Sequence, residues 1–327
     1  MTFALSIFVK KQFMIWFLFF LLVFGLLALD LGVFHKKNET ISTKESLAWT
    51  SVWILVAFIF GGVIYWIYDA NMWNMNPLGK DPSQTVLDYY TGYIVEESLS
   101  LDNIFVIAMI FQFFKIEPKY QHRILFWGII GAVVFRLTMI LLGATFIEHF
   151  KGATYVFGLI LLYSAFKMIK QSDDENEDFT KSVGVRLLSR IYPIDWTSNN
   201  GTYFVKKNGK LMATSLLAAL VVVEFSDILF AVDSIPAIFS ITSDPFIVFS
   251  SNIFAIMGLR NLFFFLSNML DKFQYMKYSL VVVLMFVAIK MLIVDLYHID
   301  AVVSLIVILS ALSGGVLISI LKTQKSV

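Results

Sequence analysis

The chain has 327 residues, of which 58% are hydrophobic and only 15% are charged, and its formal net charge is +1. Soluble domains carry roughly a quarter charged residues, and no soluble core could hide this much apolar surface, whereas lipid accepts it directly. The balanced charge argues against nucleic acid as a partner, and the absence of cysteine excludes disulfides, thiolate metal sites and thiol catalysis. We therefore predict an all-α polytopic membrane protein whose main partner is the lipid bilayer.

Nine apolar runs along the chain are each long enough, at roughly 20 residues, to cross a bilayer as a helix. In chain order they lie near 13–34, 48–69, 89–114, 122–147, 152–170, 212–239, 245–267, 276–296 and 300–321. Loops rich and poor in lysine and arginine alternate between these runs, so the positive-inside rule puts the N-terminus outside and the C-terminus in the cytoplasm. Lys10 and Lys11 are the exception to this alternation. We expect a single transmembrane domain over residues 1–327.

The one long loop between these runs, 171–211, begins with an acidic stretch that we interpret as a solvated linker. Further along, the segments 202–205 and 211–214 flank Asn208-Gly209, a dipeptide typical of tight hairpin turns. Basic residues are frequent in and beside the loop, which places it on the cytoplasmic side. We expect a small cytoplasmic β-hairpin here and no catalytic residues.

Two stretches of three predicted helices, 89–170 and 212–296, carry the same series of charged residues. Each series consists of an acidic residue, an aspartate six positions later, an arginine and a lysine. The members are Glu96, Asp102, Arg136 and Lys167 in the first stretch, and Asp227, Asp233, Arg260 and Lys290 in the second. Because a three-helix unit reverses its direction when it is repeated, the sequence predicts inverted-topology repeats, an architecture typical of secondary transporters.

Charged residues inside the predicted spans need partners, because each charge at mid-bilayer costs about 2.5–3.5 kcal/mol on insertion scales. The acids are Asp30, Glu96, Glu97, Asp102, Glu224, Asp227 and Asp233, and the bases are Arg136, Lys167, Arg260 and Lys290. Pairing all four bases leaves three of the seven carboxylates to be balanced by protons or a metal ion. With Asn103, Ser234 and Asn252 nearby, the site offers only oxygen ligands, which suit Mn²⁺, Ca²⁺ or Mg²⁺.

Asp102 and Asp233, at matching places in the two repeats, are the predicted central metal ligands. Glu96, Asp227 and Glu224 are predicted to form an access or proton-exchange shell around them. The further candidate ligands are Asp30, Glu97, Asn103 and Ser234, and the candidate charge-balancing residues are Arg136, Lys167, Arg260 and Lys290.

Helix geometry limits how many of these side chains can converge. Residues six positions apart, such as Glu96 and Asp102, point in different directions on an ideal helix, whereas Glu224 and Asp227 share a face. Convergence of the whole set would need a broken helix, or aspartates that meet from antiparallel segments. Pro236 frees a backbone carbonyl one turn before it and is a candidate break.

Other interpretations remain open beside metal binding. Asp102 and Asp233 could pair with Arg136 and Arg260 only to hold helices together. Asp30 could be no more than a residue at the membrane boundary.

Two alternatives belong to other functional classes. A non-transporting membrane scaffold would dock a stress-resistance or secretion complex through 171–211. An intramembrane aspartyl protease would use Asp102 and Asp233, but the chain lacks the G-x-G-D sequence that such an enzyme needs. We therefore expect no enzymatic activity.

At these residues the chain closely resembles the TerC family, which is named for tellurium resistance. The matching strings are LALDLGVFHKK at 27–37, EESLSLDNIFV at 96–106, VEFSDILFAVDSIPAIF at 223–239, GLRNLFFFL at 258–266 and IKMLIVDLY at 289–297. The resemblance implies a bacterial inner-membrane protein that exports Mn²⁺ and related divalent cations. Some relatives are tied to tellurite resistance, to the response to alkaline pH, or to metal loading of secreted enzymes.

The family's intramembrane acids fall here on Asp30, Glu96, Asp102, Glu224, Asp227 and Asp233. From the residues and the resemblance together, we predict a Mn²⁺ exporter that works by alternating access between the two repeats. Mn²⁺ would be the substrate, with no permanently bound cofactor. Exchange of metal for H⁺ is a natural form of coupling, because carboxylates that release a metal can be reprotonated.

Overall fold

The computed structural model describes the chain over residues 2–34, 43–77, 79–150, 152–170, 178–197, 201–207, 209–266, 276–297 and 299–323. Within these ranges the protein is almost entirely helical. The helices are α1 (Thr2–Phe34), α2 (Thr43–Asp69), α3 (Pro82–Phe113), α4 (Pro118–His149), α5 (Ala153–Lys170), α6 (Val183–Ile191), α7 (Ser215–Phe239), α8 (Pro245–Leu266), α9 (Met276–Leu292) and α10 (Ala301–Thr323).

The helices have the length and composition of membrane spans. Five of them, α2, α4, α7, α8 and α10, are long and apolar enough to cross a bilayer, and shorter apolar stretches lie in α1, α5 and α9. α3 has 32 residues, but it carries several of the acidic residues that lower its hydropathy. The predicted all-α polytopic class is confirmed, while the count of nine spans stays a prediction.

Proline and aspartate mark where several helices begin. Pro82, Pro118 and Pro245 are each the first residue of their helix, where the missing N–H of proline costs no hydrogen bond. Asp81 and Asp244, just before two of these prolines, accept hydrogen bonds from backbone N–H groups two residues further on. By contrast, α7 runs unbroken through Pro236, which lies in its last turn, so the predicted break in this helix is not seen.

The helices of the two predicted repeats pack mainly against each other. α3 packs against α8, α4 against α7, and α5 against α9, with further contacts between α3 and α7 and between α4 and α8. α2 covers α8 on another side, and α10 lies on α9.

α8 is the central helix of the bundle. Its apolar stretch is completely buried inside the protein, and aromatic rings of α1 such as Phe19 pack against Phe246 and Phe249 near its start. Polar side chains on α8 therefore face protein and not lipid.

Polar contacts tie α2 to the start of α8 at one end of the bundle, which we name the outer end after the predicted topology. The Tyr68 hydroxyl donates to Asp244 Oδ2 at 2.8 Å, and Lys80 Nζ lies 3.6 Å from the same oxygen. Asn76 Nδ2 donates to the backbone carbonyls of Tyr68 and Lys80. These contacts organise the segment between α2 and α3.

A small three-stranded sheet lies at the opposite end, which we name the inner end. Its strands are β1 (Ile194–Asp195), β2 (Phe204–Lys207) and β3 (Lys210–Thr214), in the order β1-β3-β2. β2 and β3 are antiparallel and lie either side of the Asn-Gly dipeptide, with Gly209 at φ +76°. β2 begins two residues later than the predicted 202–205, because the pairing of Lys207 with Lys210 closes the turn and fixes the register.

An ion pair joins the two outer strands of this sheet, β1 and β2. Lys207 Nζ lies 2.6 Å from Asp195 Oδ2, and the Thr197 hydroxyl donates to Asp195 Oδ1 at 2.7 Å. These hydrogen bonds, from Lys207 first and then from Thr197, lower the pKa of the Asp195 carboxyl to about 2. The Asp195 carboxyl is therefore ionised at neutral pH.

Candidate functional site

A buried arginine joins two carboxylates near the middle of the bundle. Arg136 Nη2 donates to Asp227 Oδ1 at 2.9 Å and Arg136 Nε to Asp227 Oδ2 at 3.4 Å, while Arg136 Nη1 donates to Glu96 Oε1. The side chains of Arg136 and Glu96 are each 1% exposed, and that of Asp227 is 14% exposed. The planar guanidinium presents its donors as a rigid fork, so it can hold both carboxylates in fixed positions.

Asn252 closes this arrangement from α8. Its Nδ2 donates to Glu96 Oε2 at 2.9 Å, and its Oδ1 accepts a hydrogen bond from Arg136 Nη1 at 3.0 Å. Glu96 lies on α3, Arg136 on α4 and Asp227 on α7, so four helices each contribute one side chain. We refer to these four residues as the Arg136 network.

The network brings together residues that the sequence predicted to be equivalent but did not show to be partners. Glu96 and Asp227 are the matching acids of the two predicted repeats, and they share Arg136 as a common counter-ion. Asn252 belonged to the oxygen-bearing neighbourhood but not to the predicted ligands. An uncharged amide gives no charge signal in the sequence, and only the packing of α3 against α8 puts it beside Glu96.

Glu224 lies one turn from Asp227 on α7 but does not join the network. Its carboxylate fills the space beside Gly131 on α4, where any Cβ atom would overlap it. Glu224 Oε2 is buried and has no hydrogen-bond partner among the described residues. Burying a carboxylate oxygen without a hydrogen-bond donor costs free energy, and binding a proton or a cation there would offset that cost.

Glu97 faces away from the network, because the next residue on a helix is turned by about 100°. Tyr93, one turn earlier, is its hydrogen-bonding neighbour. On the other side, Glu97 Oε1 lies near Gly258 of α8. Its Oε2 is buried and has no hydrogen-bond partner in the described part of the chain.

A small cavity of about 20 Å³ adjoins the network and is large enough for one water molecule. Its polar lining consists of Asn103 from α3, Asp227 from α7 and Arg260 from α8, and the rest of its wall is apolar or glycine. The cavity extends from the network toward the inner end, since Asn103 and Arg260 come after Glu96 and Asn252 on helices that run inward.

The remaining predicted residues lie at different places. Ser234 is buried, and its hydroxyl has no partner among the described residues. Lys290 Nζ donates to Ser304 of α10 at 2.9 Å, toward the outer end. Lys167 is exposed on α5 and makes no ion pair within the described ranges, as expected for a lysine that extends to the membrane surface.

The two predicted central ligands fall outside what can be described in atomic detail. The backbones of Asp102 and Asp233 belong to α3 and α7, and that of Asp30 belongs to α1. The side chains of all three lie outside the described residues. Among the side chains that are described, no group of three or more histidines or acids is placed to hold a metal ion.

The contact between Gly131 and Glu224 predicts a measurable cost of substitution. We expect Gly131→Ala to destabilise the protein by about 1–3 kcal/mol, because the Glu224 carboxylate must leave its place in a packed interface. The measurement is the midpoint of thermal unfolding in detergent or lipid. Gly128→Ala is the matched control, since a Cβ there meets Val223 Cγ1 at an ordinary 3.5 Å. An equal cost of Gly131→Ala in a Glu224→Ala background would rule out Glu224 as the cause.

Comparison with known proteins places the chain in a family of membrane proteins. The profile of the integral membrane protein TerC family matches residues 82–327. An uncharacterized membrane protein of Myxococcus xanthus is 42% identical over 310 residues, which cover 95% of this chain and 93% of that protein. A protein of Salmonella typhi that bears the provisional name membrane-bound redox modulator Alx is 41% identical over 301 residues, or 92% of each chain.

Another uncharacterized membrane protein, from Rickettsia bellii, is 42% identical over 313 residues, with 94% of this chain and 98% of that protein covered. No solved structure matches the chain. The matched profile covers α3 to α10, which include all four members of the Arg136 network. The chain therefore belongs to the TerC family of integral membrane proteins.

Proposed function

We propose that the protein exports divalent metal cations, with Mn²⁺ as its main substrate, by alternating access between the segments 89–170 and 212–296. The observation that carries this proposal is that Arg136 joins Glu96 and Asp227, which occupy matching positions in the two segments. Acidic residues in the membrane interior are expensive and are retained at ion pathways. In inverted-repeat transporters the substrate site lies at the repeat interface near mid-membrane.

The pattern of helix packing supports an exchange symmetry between the two segments. If the first helix of one segment corresponds to the first helix of the other, then α3 matches α7, α4 matches α8 and α5 matches α9. Under that exchange the α3–α8 contact becomes the α7–α4 contact, and the α5–α9 contact maps onto itself. The fold contains each of these helix contacts together with the contact that the exchange turns it into, as a pseudo-two-fold axis requires.

Arg136 acts in this proposal as a built-in counter-ion for the carboxylates while metal is absent. A divalent cation seeks the same carboxylate oxygens of Glu96 and Asp227, so metal binding and Arg136 pairing compete. Glu224 lies one turn away, and its Oε2 has no donor within the described ranges, so it can receive an ion or a proton before that ion reaches Asp227. Asp102 and Asp233 are proposed to complete the ligand set.

The contacts at the two ends of the bundle support export as the direction of transport. At the outer end Asp244 binds Tyr68 and Lys80, which fastens α2 to α8. The cavity beside Asp227 lies on the inner side of the network. With the inner end in the cytoplasm, this arrangement corresponds to a state that is closed outside and close to receiving metal from within, as an exporter needs.

The provisional redox name of the Salmonella typhi relative suggests another activity, but this chain contains no cysteine for thiol redox chemistry. We therefore propose transport and not thiol exchange.

The test of the proposal is manganese handling in cells that express Asp102→Asn or Asp233→Asn. We expect raised cytoplasmic manganese and greater sensitivity to added Mn²⁺ than with the wild-type protein. Asp178→Asn, an exposed aspartate outside the helical bundle, is the control. Wild-type export by both variants would end the proposal, and reconstituted vesicles with a panel of divalent cations, with and without a pH gradient, would identify the substrate and the coupling.

A further inference from the structure

The short helix α6 lies within the long loop, yet it packs closely on a membrane-spanning helix. Its approach to α7 is made possible by Gly184, where a Cβ would lie 3.0 Å from Val221 Cγ1 and 3.0 Å from Phe225 Cδ2. Val185 and Leu188 are also buried on this side. Leucine or valine at position 184 would separate the two helices, so the glycine permits the contact.

The position of this contact along α7 gives the depth of α6. Val221 and Phe225 lie six and ten residues after Ser215, the first residue of α7. At 1.5 Å per residue they are about 9 Å and 15 Å along the helix. A helix of 25 residues is about 37 Å long and the hydrocarbon core is about 30 Å thick, so the hydrocarbon begins only a few ångströms from each end. Where it contacts α7, α6 therefore lies about 5–11 Å inside the edge of the hydrocarbon, close to the depth of about 5–10 Å to which interfacial helices bury their apolar face.

The surface of α6 divides into three sectors around its axis, each residue being turned by about 100° from the last. Gly184, Val185 and Leu188 form the sector that faces the protein. The next sector consists of Val183, Leu187 and Ile191, which are 62%, 43% and 73% exposed. The third sector contains Arg186, Ser189 and Arg190, all exposed. No described element covers the apolar sector.

We propose that α6 is an interfacial membrane helix whose apolar sector inserts among the acyl chains of the inner leaflet and whose arginines bind anionic phospholipid headgroups. A helix with one apolar and one basic face at this depth has the features of lipid-binding interfacial helices. Basic residues beside a membrane surface attract anionic lipid, at about a fivefold gain in affinity per charge.

A neighbouring aromatic residue agrees with this assignment. Trp196, 45% exposed, stacks on Phe114 at the inner end of α3 with ring centroids 5.9 Å apart, as expected for an aromatic residue at a membrane interface. The lipid would thus hold α6 against the turn of α7 that contains Phe225, next to Glu224.

The absence of cysteine makes the depth of α6 directly measurable, because a single introduced cysteine can carry a spin label without background. In lipid bilayers, a label on Leu187→Cys is expected to be accessible to oxygen and protected from a water-soluble nickel chelate. A label on Ser189→Cys, two residues away in the polar sector, is the matched control and should show the reverse preference. Val183→Cys provides a second, independent position in the apolar sector.

The anionic preference is tested separately by quenching a fluorophore on Leu187→Cys with brominated lipids. We expect brominated phosphatidylglycerol to quench more strongly than brominated phosphatidylcholine. The preference for phosphatidylglycerol over phosphatidylcholine should fall when Arg186→Gln and Arg190→Gln are added. The expected fall is about 25-fold, because each of the two lost charges contributes about fivefold. Equal quenching by both lipids would overturn the headgroup assignment.

Two results would overturn the insertion of α6. One is a label at Leu187→Cys that is as open to the nickel chelate as the label at Ser189→Cys. The other is protection in native membranes that disappears in bilayers of pure lipid, which would assign the apolar sector to a protein partner.

Discussion

Arg136→Gln is expected to destabilise the folded protein by roughly 3–5 kcal/mol, the cost of leaving buried charges without their partner. Glu96 is 1% exposed and its two oxygens are held by Arg136 and Asn252. Removing the guanidinium leaves its carboxylate next to that of Asp227 with no positive charge between them. Since whole proteins are stable by roughly 5–15 kcal/mol, the loss is large. The measurement is thermal unfolding in detergent and in lipid.

The same network offers an internal control for this prediction. A triple variant with Arg136→Gln, Glu96→Gln and Asp227→Asn has no buried charge left at these positions, so much of the lost stability should return. Arg136→Lys should be intermediate, because a lysine keeps the charge but cannot hold two carboxylates through one rigid fork. A triple variant no more stable than Arg136→Gln alone would contradict the explanation by unpaired charge.

The order of the charged residues in the sequence singled out one charged series in each segment, but it did not show which acid pairs with which base. The recurrence of an acid, an aspartate, an arginine and a lysine predicted two equivalent helical segments, and the acids Glu96 and Asp227 of both segments lie at one arginine. Sequence spacing alone left Asp102 as an equally good partner for Arg136. The choice depends on how far each helix is rotated about its axis, and that is set by packing between helices distant in sequence.

Packing also explains why residues of the same chemical type behave differently. Glu96 and Glu97 are neighbours in sequence, but the turn of the helix sends one to Arg136 and the other toward Tyr93. Glu224 shares a helical face with Asp227, as predicted, yet its carboxylate lies in the open space beside Gly131 and not at Arg136. A glycine on a partner helix leaves no hydrophobic pattern in the sequence, so this difference was not predictable.

If the protein transports Mn²⁺ as proposed, Asp227→Asn should lower its affinity for this ion by about tenfold or more. Even residues that only support metal ligands typically lower the affinity by about 10- to 100-fold when they are replaced. Asp227 is the member of the network that both binds Arg136 and lines the cavity, so in the proposed path it is the first carboxylate of the network that an ion coming past Glu224 would meet. Asparagine keeps the shape and one oxygen, so the fold should survive while the charge is lost. The measurement is Mn²⁺ uptake into inverted vesicles as a function of metal concentration.

Glu96→Gln separates a ligand from a structural partner, because Glu96 is enclosed by Arg136 and Asn252 and does not line the cavity. If Arg136 must release both carboxylates before metal binds, Glu96→Gln should also lose transport. The loss of transport in Asp227→Asn should then be at least as large as in Glu96→Gln. Leu229→Ala is the control on α7, the helix of Asp227, since the Leu229 side chain is 67% exposed and faces away from the network. Wild-type affinity in Asp227→Asn would place the metal path elsewhere in the bundle, because no other carboxylate whose side chain is described lines the cavity.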